Sequence, residues 1–156
     1  MLTVIEKVIF LQHVDVFSEI SIEQMAYLAA IVEEVSFQEN ADIYHEQDPS
    51  DAIYLVLEGQ VRLHRQGADI AVIGPQEAFG TWALFDEEPR VATATTVEDS
   101  RLLRVSRDAF IDLLSDHVQI TQGVLRALSK RLRGLLGEPG TNYPTRGNRF
   151  PHRANA

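Results

Sequence analysis

The sequence predicts a mainly β protein with α-helices at both ends, on three observations. Short runs rich in Val, Ile, Leu and Tyr occupy the middle of the chain, from about residue 34 to residue 105. Turn residues separate these runs, and both flanking stretches repeat apolar residues every three or four positions. About eight short, evenly spaced strands are typical of an antiparallel barrel or sandwich. The 156 residues favour one domain, which we place at 1–137, followed at 138–156 by a Pro-, Gly-, Asn- and Arg-rich tail that we expect to be disordered.

Two helices are predicted before the strands. Val4, Ile5, Val8 and Ile9 follow helical spacing, which predicts that one apolar face of the first helix is buried. Ser21 is suited to cap the second helix, because a serine side chain accepts a hydrogen bond from the free amides of the first turn. The buried stripe of the second helix would comprise Met25, Leu28, Ala29 and Val32.

The strands are predicted from runs that are bounded by turn residues. The clearest unit pairs residues 53–57 with 60–64 through the dipeptide Glu58-Gly59, which predicts a β-hairpin. A further strand end is predicted at Phe79. The complete strands would cover 35–37, 42–45, 52–58, 60–65, 69–74, 91–97 and 101–105.

Two helices are predicted after the strands. Ser106 would cap the first, at 107–114, and the second would run over 117–136. The second carries apolar residues at alternating spacings of three and four, as in a coiled-coil seam. This seam has two interpretations: it forms a homodimer, or it packs on the chain's own strands and N-terminal helices. Its residues are Val118, Leu125, Leu128, Leu132 and Leu135.

The net charge of −9 is divided unevenly along the chain. Residues 1–100 contain 4 basic and 19 acidic side chains, whereas residues 101–156 contain 10 basic and 4 acidic ones. The acidic part argues against a general binder of nucleic-acid phosphates. Positive side chains stabilise the C-terminal end of a helix, and those of the last helix also face an acidic body, which accounts for their position. Cysteine is absent and no apolar run is long enough for a transmembrane helix, so we expect a cytoplasmic protein.

No catalytic or metal-binding motif emerges from the sequence, which contains no GxSxG, HExxH or GxxxxGK[ST] segment. His45 and His64 would meet across the sheet, but a pair of strand histidines is more often surface or core than a metal site. The acidic run 86–88 lacks the facing carboxylates of a glycosidase and is interpreted as a solvated turn. We therefore expect neither an enzyme nor a metal centre.

The segment 79–92 carries the functional information. It predicts a strand end, a glycine at position 80, a short helical turn, an acidic loop, and Arg90 at the start of a strand. Between Arg65 and Arg101, Arg90 is the only positive side chain. Exposed amides of a helical turn and one arginine together suit a single phosphate. The alternative is that Arg90 pairs with an acidic neighbour, namely Glu87, Glu88 or Glu98.

Several residues in order give the chain a family resemblance over about residues 10–136. They are Phe17 before a capped helix, Phe37, Asp48 with Asp51 ahead of Ile53-Tyr54, Gly59-Gln60-Val61, Gly74, Phe79-Gly80, Ala83-Leu84, Pro89-Arg90 with Ala92, and Leu102-Leu103. With these residues the chain resembles the cyclic nucleotide-binding domains of catabolite activator proteins and of kinase regulatory subunits, as a divergent member. The resemblance implies an eight-stranded antiparallel β-roll, jelly-roll-like, with N-terminal and C-terminal helices.

The resemblance also implies a ligand site. Arg90 would pair with the cyclic phosphate, and the turn that starts at Gly80 would present the amides around Trp82, Ala83 and Leu84. Two residues depart from the family pattern. Thr81 replaces a glutamate that accepts a hydrogen bond from the ribose 2′-hydroxyl, and Val91 lacks the hydroxyl associated with a preference for cGMP. The implied ligand is therefore cAMP rather than cGMP, at reduced affinity.

Turn positions of the family pattern are changed as well. Asn40 and Gln47 stand where glycine is usual, and of the two asparagine accepts a left-handed backbone more readily.

Two functions follow as hypotheses. In the first, the chain is a regulatory module that binds a cyclic nucleotide and relays binding to a partner through the helix at 117–136. In the second, it is a degenerate domain that serves protein interaction or dimerisation without a nucleotide, for instance docked by its N-terminal helix on a membrane transporter. Only a short tail follows the last helix, so we expect no DNA binding.

Overall fold

The computed structural model describes residues 1–137, and the predicted tail at 138–156 lies outside the described residues. The helices were predicted in number and order, and two short 3-10 turns accompany them, at Asp15–Phe17 and Thr81–Leu84. Ser21 and Ser106 cap helices as expected, because each Oγ accepts a hydrogen bond from the amide three residues on. The helices are α1 (Val4–Leu11), α2 (Ile22–Ala30), α3 (Arg107–Asp116) and α4 (Val118–Leu136).

The strands form two four-stranded antiparallel sheets that together make the eight-stranded β-roll predicted from the sequence. The first sheet has the order β1-β8-β3-β6 and the second the order β2-β7-β4-β5. The chain therefore crosses between the sheets repeatedly, as a jelly-roll-like fold requires. The strands are β1 (Glu33–Phe37), β2 (Asp42–Tyr44), β3 (Ala52–Glu58), β4 (Val61–Arg65), β5 (Ala68–Ile73), β6 (Ala78–Phe79), β7 (Thr93–Thr96) and β8 (Ser100–Ser106).

The predicted hairpin of residues 53–57 with 60–64 is wrong. Strand β3 pairs with β6 and β8, whereas β4 pairs with β5 and β7 in the other sheet. Gly59 between them has φ +97°, and a Cβ there would lie 2.7 Å from the carbonyl oxygen of Asp99. Glycine is needed at this point because the chain turns sharply from one sheet to the other beside the start of β8. The true hairpin is β4–β5, through Gln66 and Gly67, both at positive φ.

Strand β3 lies at the centre of the fold and is buried on both faces. Ile53, Leu55 and Leu57 face the helices, whereas Tyr54 and Val56 face the space between the two sheets. A strand covered on both faces is expected to be continuously apolar, which explains the run Ile53–Leu57.

The face that α1 buries differs from the prediction. Val8 and Leu11 are buried, whereas Val4, Ile5 and Ile9 are exposed. The period of the pattern specifies a helix, but several apolar stripes fit it, and contacts with α2 and β3 select the one that packs.

Helix α4 packs through small and β-branched residues. Its buried residues are Ile120, Gly123, Val124 and Ala127. A Cβ on Gly123 would lie 3.0 Å from the carbonyl oxygen of Glu19, so the glycine permits a close approach of the helix.

The predicted seam of α4 divides in the structure. Leu128 packs against the core. The other four seam residues are each more than half exposed, so they do not pack on the chain's own roll; they are Val118, Leu125, Leu132 and Leu135.

Candidate functional site

A cavity of about 170 Å³ lies between the 3-10 turn, the loop that follows it and the start of β7. Five of the six residues predicted to bind a ligand line it. The sixth, Thr81, does not line the cavity, although its neighbours Gly80 and Trp82 do. The lining residues are Tyr44, Ser50, Gly80, Trp82, Ala83, Asp86, Glu88, Pro89, Arg90, Val91 and Ala92.

Arg90 is the buried cation of this cavity, with only 5% of its surface exposed. Its Nη2 donates a hydrogen bond to the carbonyl oxygen of Ala52 at 2.7 Å and lies 3.6 Å from Oδ1 of Asp51. Within residues 1–137 its Nε is buried without a hydrogen-bond acceptor. A buried donor without a partner is costly, so an acceptor that bonded to this guanidinium would remove part of that cost.

The acidic partner of Arg90 differs from the alternatives drawn from the sequence. The ion pair is made with Asp51, and none is formed with Glu87, Glu88 or Glu98 in the described part of the chain. Asp51 is shared, because its Oδ2 also accepts a hydrogen bond from Arg104 at 3.3 Å. Its carboxylate is largely exposed, so it neutralises Arg90 only weakly.

The aromatic ring of Tyr44 packs against the guanidinium of Arg90. The Cζ of Arg90 lies 4.0 Å from the centroid of the Tyr44 ring, a cation–π contact. Tyr44 in turn packs against Tyr54 and Phe79, whose rings stack at 5.4 Å. Burial raises the pKa of Tyr44 to about 12, against the opposing effect of the Arg90 charge. The phenol is therefore neutral at physiological pH and leaves the charge of Arg90 available to a ligand.

The backbone of Arg90 is fixed by a tight loop. Its amide donates to the carbonyl oxygen of Asp48 and its own carbonyl accepts from the amide of Gln47, both at 2.8 Å. Gln47 has φ +72° and Asn40 has φ +59°, so both positions expected to favour glycine do adopt the left-handed backbone.

Gly80 makes room for the arginine. It has φ +73°, and a Cβ at this position would lie 2.5 Å from Nη1 of Arg90. In the 3-10 turn that follows, the amide of Ala83 donates a hydrogen bond to the carbonyl oxygen of Gly80 at 3.1 Å. The amides of Thr81 and Trp82, being the first of the turn, have no acceptor within it. Of the amides expected near Trp82, Ala83 and Leu84, the one at Ala83 is thus already used.

Two residues that the sequence did not indicate hold the acidic loop in place. Ser50 donates its hydroxyl to the carbonyl oxygen of Glu88. Arg107, at the start of α3, donates through Nη1 to the carbonyl oxygens of Asp86 at 2.8 Å and Ser50 at 3.2 Å. These bonds join the loop to the first sheet and to α3, and no local sequence signal points to them.

The missing glutamate at position 81 is not replaced by Glu77. The Oε1 of Glu77 accepts a hydrogen bond from the amide of Gly74 at 3.1 Å, and Glu77 does not line the cavity. The carboxylates that do line it are those of Asp86 and Glu88.

The histidines on the second sheet form a hydrogen-bonded network. Thr95 donates to Oδ1 of Asp42 at 2.6 Å, and its hydroxyl oxygen lies 2.8 Å from Nε2 of His64. His45 reaches the other oxygen of Asp42 at 2.9 Å. The hydrogen bond from Thr95 is the main cause that lowers the pKa of the Asp42 carboxyl. Over residues 1–137, no three His, Asp or Glu side chains cluster in a way that could hold a metal ion.

Within residues 1–137, no helix combines the length and the apolar character needed to span a bilayer.

The β-roll thus places a buried arginine beside a small cavity and next to the start of a 3-10 turn, an arrangement that suits a small anion. A family model described as the cyclic nucleotide-binding domain matches residues 34–117. This range is more than half of the chain and includes every residue that lines the cavity. The chain belongs to the cyclic nucleotide-binding domain family, as the resemblance in its sequence predicted.

The chain is also similar to individual regulatory proteins. It is 29% identical over 123 residues to the CRP-like cAMP-activated global transcriptional regulator of Mycobacterium tuberculosis. That match covers 76% of this chain and 55% of the regulator, so the chain spans about half the length of this curated relative. The structure of the present chain is similar to that of the N-terminal domain of a transcriptional regulator from Streptomyces coelicolor. The two are 35% identical with a TM-score of 0.76, and the match covers 80% of this chain and 91% of that one.

One similarity extends to an enzyme. Over 104 residues the chain is 38% identical to the lysophospholipase nte1 of Neosartorya fischeri, covering 64% of this chain but only 7% of the enzyme. This similarity concerns one small part of a much larger protein. It therefore carries no argument for lipid hydrolysis by this chain.

Proposed function

We propose that this chain is a regulatory module that binds a cyclic nucleotide at Arg90 and relays binding to a partner through α4. The observation that carries the proposal is the buried guanidinium whose Nε lacks an acceptor within residues 1–137. A cyclic phosphate has one negative charge and oxygens that accept hydrogen bonds. Placed in the cavity, it would accept hydrogen bonds from Arg90 and from the amide of Trp82, which offsets the cost of burying a charge.

The proposed nucleotide is cAMP rather than cGMP. Val91 lines the cavity beside Arg90 and offers no hydroxyl to the base. The regulator from M. tuberculosis is described as cAMP-activated, which supports the same choice.

Calorimetric titration of the chain with cAMP, cGMP and 5′-AMP tests the proposal. We expect a micromolar-to-millimolar affinity for cAMP, a weaker one for cGMP, and the weakest for 5′-AMP. The linear phosphate carries more negative charge than the cyclic one, and it would lie beside the carboxylates of Asp86 and Glu88. No heat from either cyclic nucleotide at millimolar concentration contradicts the proposal.

Restoring the carboxylate in Thr81→Glu should strengthen cAMP binding by about 10-fold or more. A hydrogen bond to a charged group contributes about 1.5–3 kcal/mol, which corresponds to roughly 10- to 150-fold in affinity. The same titration measures it, with Thr81→Gln as the uncharged control of equal length. Equal affinities for the wild type and Thr81→Glu would show that position 81 does not reach the ribose.

We propose that the partner reached through α4 is a second copy of this chain, so that α4 forms a homodimer interface. The exposed stripe of α4 includes Leu125 and Leu132, seven residues apart, at the spacing of a coiled-coil seam. Exposed apolar side chains in such a row are unusual on a monomer and fit an interface.

Leu132→Glu is expected to convert a dimer into a monomer. In the dimer the new carboxylate would lose its hydration and face the same carboxylate of the second chain. Sedimentation velocity of the wild type and the variant measures this. Val72→Glu, at an equally exposed position of β5, is the matched control and should leave the mass unchanged. A wild-type chain that sediments as a monomer removes the dimer from the proposal.

A second candidate function is a domain that has lost its nucleotide and serves protein interaction. The observation that favours it is Thr81, since Glu77 does not take the place of the family glutamate at the turn. The exposed side chains of Ile5 and Ile9 on α1 offer an apolar surface for a protein partner such as a membrane transporter. The titration above separates the two candidates.

We further propose that the module acts in the cytoplasm and does not itself bind DNA. Its first 100 residues are strongly acidic, and the cations Lys130 and Arg131 are paired with Glu19 and Asp15 rather than free for phosphates.

A further inference from the structure

The walls of the cavity carry more negative than positive charge. Arg90 is the only cation that lines it among the described residues, whereas the carboxylates of Asp86 and Glu88 both line it. Tyr44 adds no charge, because burial raises the pKa of its phenol to about 12. One positive and two negative side chains give the lining a formal net charge of −1 at neutral pH. A site suited to an anion therefore contains two groups that repel an anion.

The protein does not neutralise these two carboxylates. Within residues 1–137, neither Asp86 nor Glu88 forms an ion pair. Arg107 comes close to the loop, but its Nη1 donates to the backbone carbonyl oxygen of Asp86, at 2.8 Å. The Oδ1 of Asp86 accepts a hydrogen bond from the amide of Glu88 at 3.1 Å, which leaves the charge in place. Both negative charges therefore act on a ligand in the cavity.

The loop that carries the two carboxylates is held beside the cavity at both residues. Ser50 donates its hydroxyl to the carbonyl oxygen of Glu88, and Arg107 holds the carbonyl oxygen of Asp86. Glu87, which lies between them in the sequence, does not line the cavity. Of three consecutive carboxylates, the fold thus places two at the cavity and one outside its lining.

From this charge pattern we propose that Asp86 and Glu88 are specificity-determining residues, which make the site prefer a singly charged phosphodiester to a doubly charged phosphomonoester. The inference rests on the proposed function and defines the class of its ligand. The preference comes from charge, so it extends to a linear phosphodiester and does not require a closed ring.

The two classes of phosphate differ in charge at physiological pH. A phosphodiester, cyclic or linear, carries one negative charge, whereas a phosphomonoester has a second ionisation with a pKa of about 6 and carries nearly two charges. One guanidinium can pair with the first charge. The second charge finds no further cation in the described lining and is repelled by Asp86 and Glu88.

Three adenine ligands separate charge from shape. They are cAMP, 5′-AMP and the methyl ester of 5′-AMP, which is a linear phosphodiester with one charge. In calorimetric titrations of the full chain at pH 8, we expect the methyl ester to bind at least about 5-fold more tightly than 5′-AMP. Equal affinities for these two linear ligands would overturn the inference, because ring closure would then account for the preference.

Removing the carboxylate charges tests the residues themselves. In the double variant Asp86→Asn/Glu88→Gln, the asparagine retains the Oδ1 acceptor for the amide of residue 88, so this hydrogen bond of the loop is preserved. Because a Coulomb energy is proportional to the charge of the ligand, 5′-AMP should gain about the square of the factor that cAMP gains, about 10-fold against about 3-fold. Glu87→Gln is the matched control, since it removes a charge from the same loop outside the cavity lining and should leave the ratio of the two affinities nearly unchanged.

The outcomes separate this inference from the proposed function. If wild type binds cAMP but the double variant changes the ratio of the cAMP and 5′-AMP affinities no more than Glu87→Gln does, the inference fails and the proposed function stands. An equal gain for both ligands would be a general electrostatic effect without selectivity, and it also overturns the inference. If wild type binds neither cAMP nor cGMP at millimolar concentration, the proposed function fails and the selectivity of Asp86 and Glu88 fails with it.

Discussion

Arg90→Ala will lower the affinity for cAMP by about 100-fold or more. A hydrogen bond to a charged group contributes about 1.5–3 kcal/mol, and a guanidinium can make two such bonds to one phosphate. The effect is large because Arg90 is the only cation that lines the cavity among the described residues. Calorimetric titration of wild type and variant measures it.

The control variants must separate ligand loss from loss of the fold. Without Arg90 the carbonyl oxygen of Ala52 loses its donor, so we expect the variant to lose about 1–3 kcal/mol of unfolding free energy. Arg90→Lys retains the charge without the two-pronged geometry and should bind with intermediate affinity. Arg62→Ala removes an exposed arginine paired with Asp69 on the second sheet and should leave binding unchanged. A folded Arg90→Ala that binds like wild type would falsify the site.

Gly80→Ala should damage both stability and binding without removing a functional group. The added Cβ would lie 2.5 Å from Nη1 of Arg90 and 3.3 Å from the carbonyl oxygen of Ala52, so the guanidinium must move. The left-handed backbone, at φ +73°, adds about 1–2 kcal/mol of strain for a non-glycine residue. We expect a loss of at least about 2 kcal/mol in unfolding free energy and at least about 10-fold in cAMP affinity, since one charged hydrogen bond is misplaced.

Gly67→Ala is the matched control for this variant. Gly67 also has a left-handed backbone, at φ +81°, but a Cβ there would meet nothing within 4 Å. It therefore reports the backbone strain alone, and cAMP binding should be unaffected. Chemical denaturation and titration of both variants give the difference. If Gly80→Ala loses no more than Gly67→Ala on either measure, Arg90 is not held where the structure places it.

The local elements of the fold could be predicted from the sequence, whereas their pairing could not. Ser21 and Ser106 mark helix starts through hydrogen bonds that span only three residues, so the signal is local. The turn at Glu58-Gly59 has the composition of a hairpin, yet it joins two different sheets. The pairing of β3 with β8 is decided by contacts between residues about 50 positions apart, which no local pattern encodes.

The same distinction applies to the site. Arg90 and the turn at Gly80 belong to one continuous segment, so their sequence context indicated them together. Tyr44 and Ser50 reach the cavity from elements about 40 residues earlier, and Arg107 from the start of α3. Their roles depend on the folded chain, since a tyrosine or a serine carries no sequence mark of the neighbour that it will support.

The close contact at Gly123 gives α4 the mechanics of a lever. A Cβ added to Gly123 would lie only 3.0 Å from the carbonyl oxygen of Glu19 and 3.1 Å from the side chain of Ile20, so the helix comes closest to the N-terminal part of the fold here and a tilt would turn about this point. From Gly123 to Leu136 the arm is about 20 Å long at 1.5 Å per residue. A tilt of roughly 10° at the pivot would therefore displace the far end by about 3 Å. Side chains such as Leu132 lie on that outer arm, where a small rotation has its greatest reach.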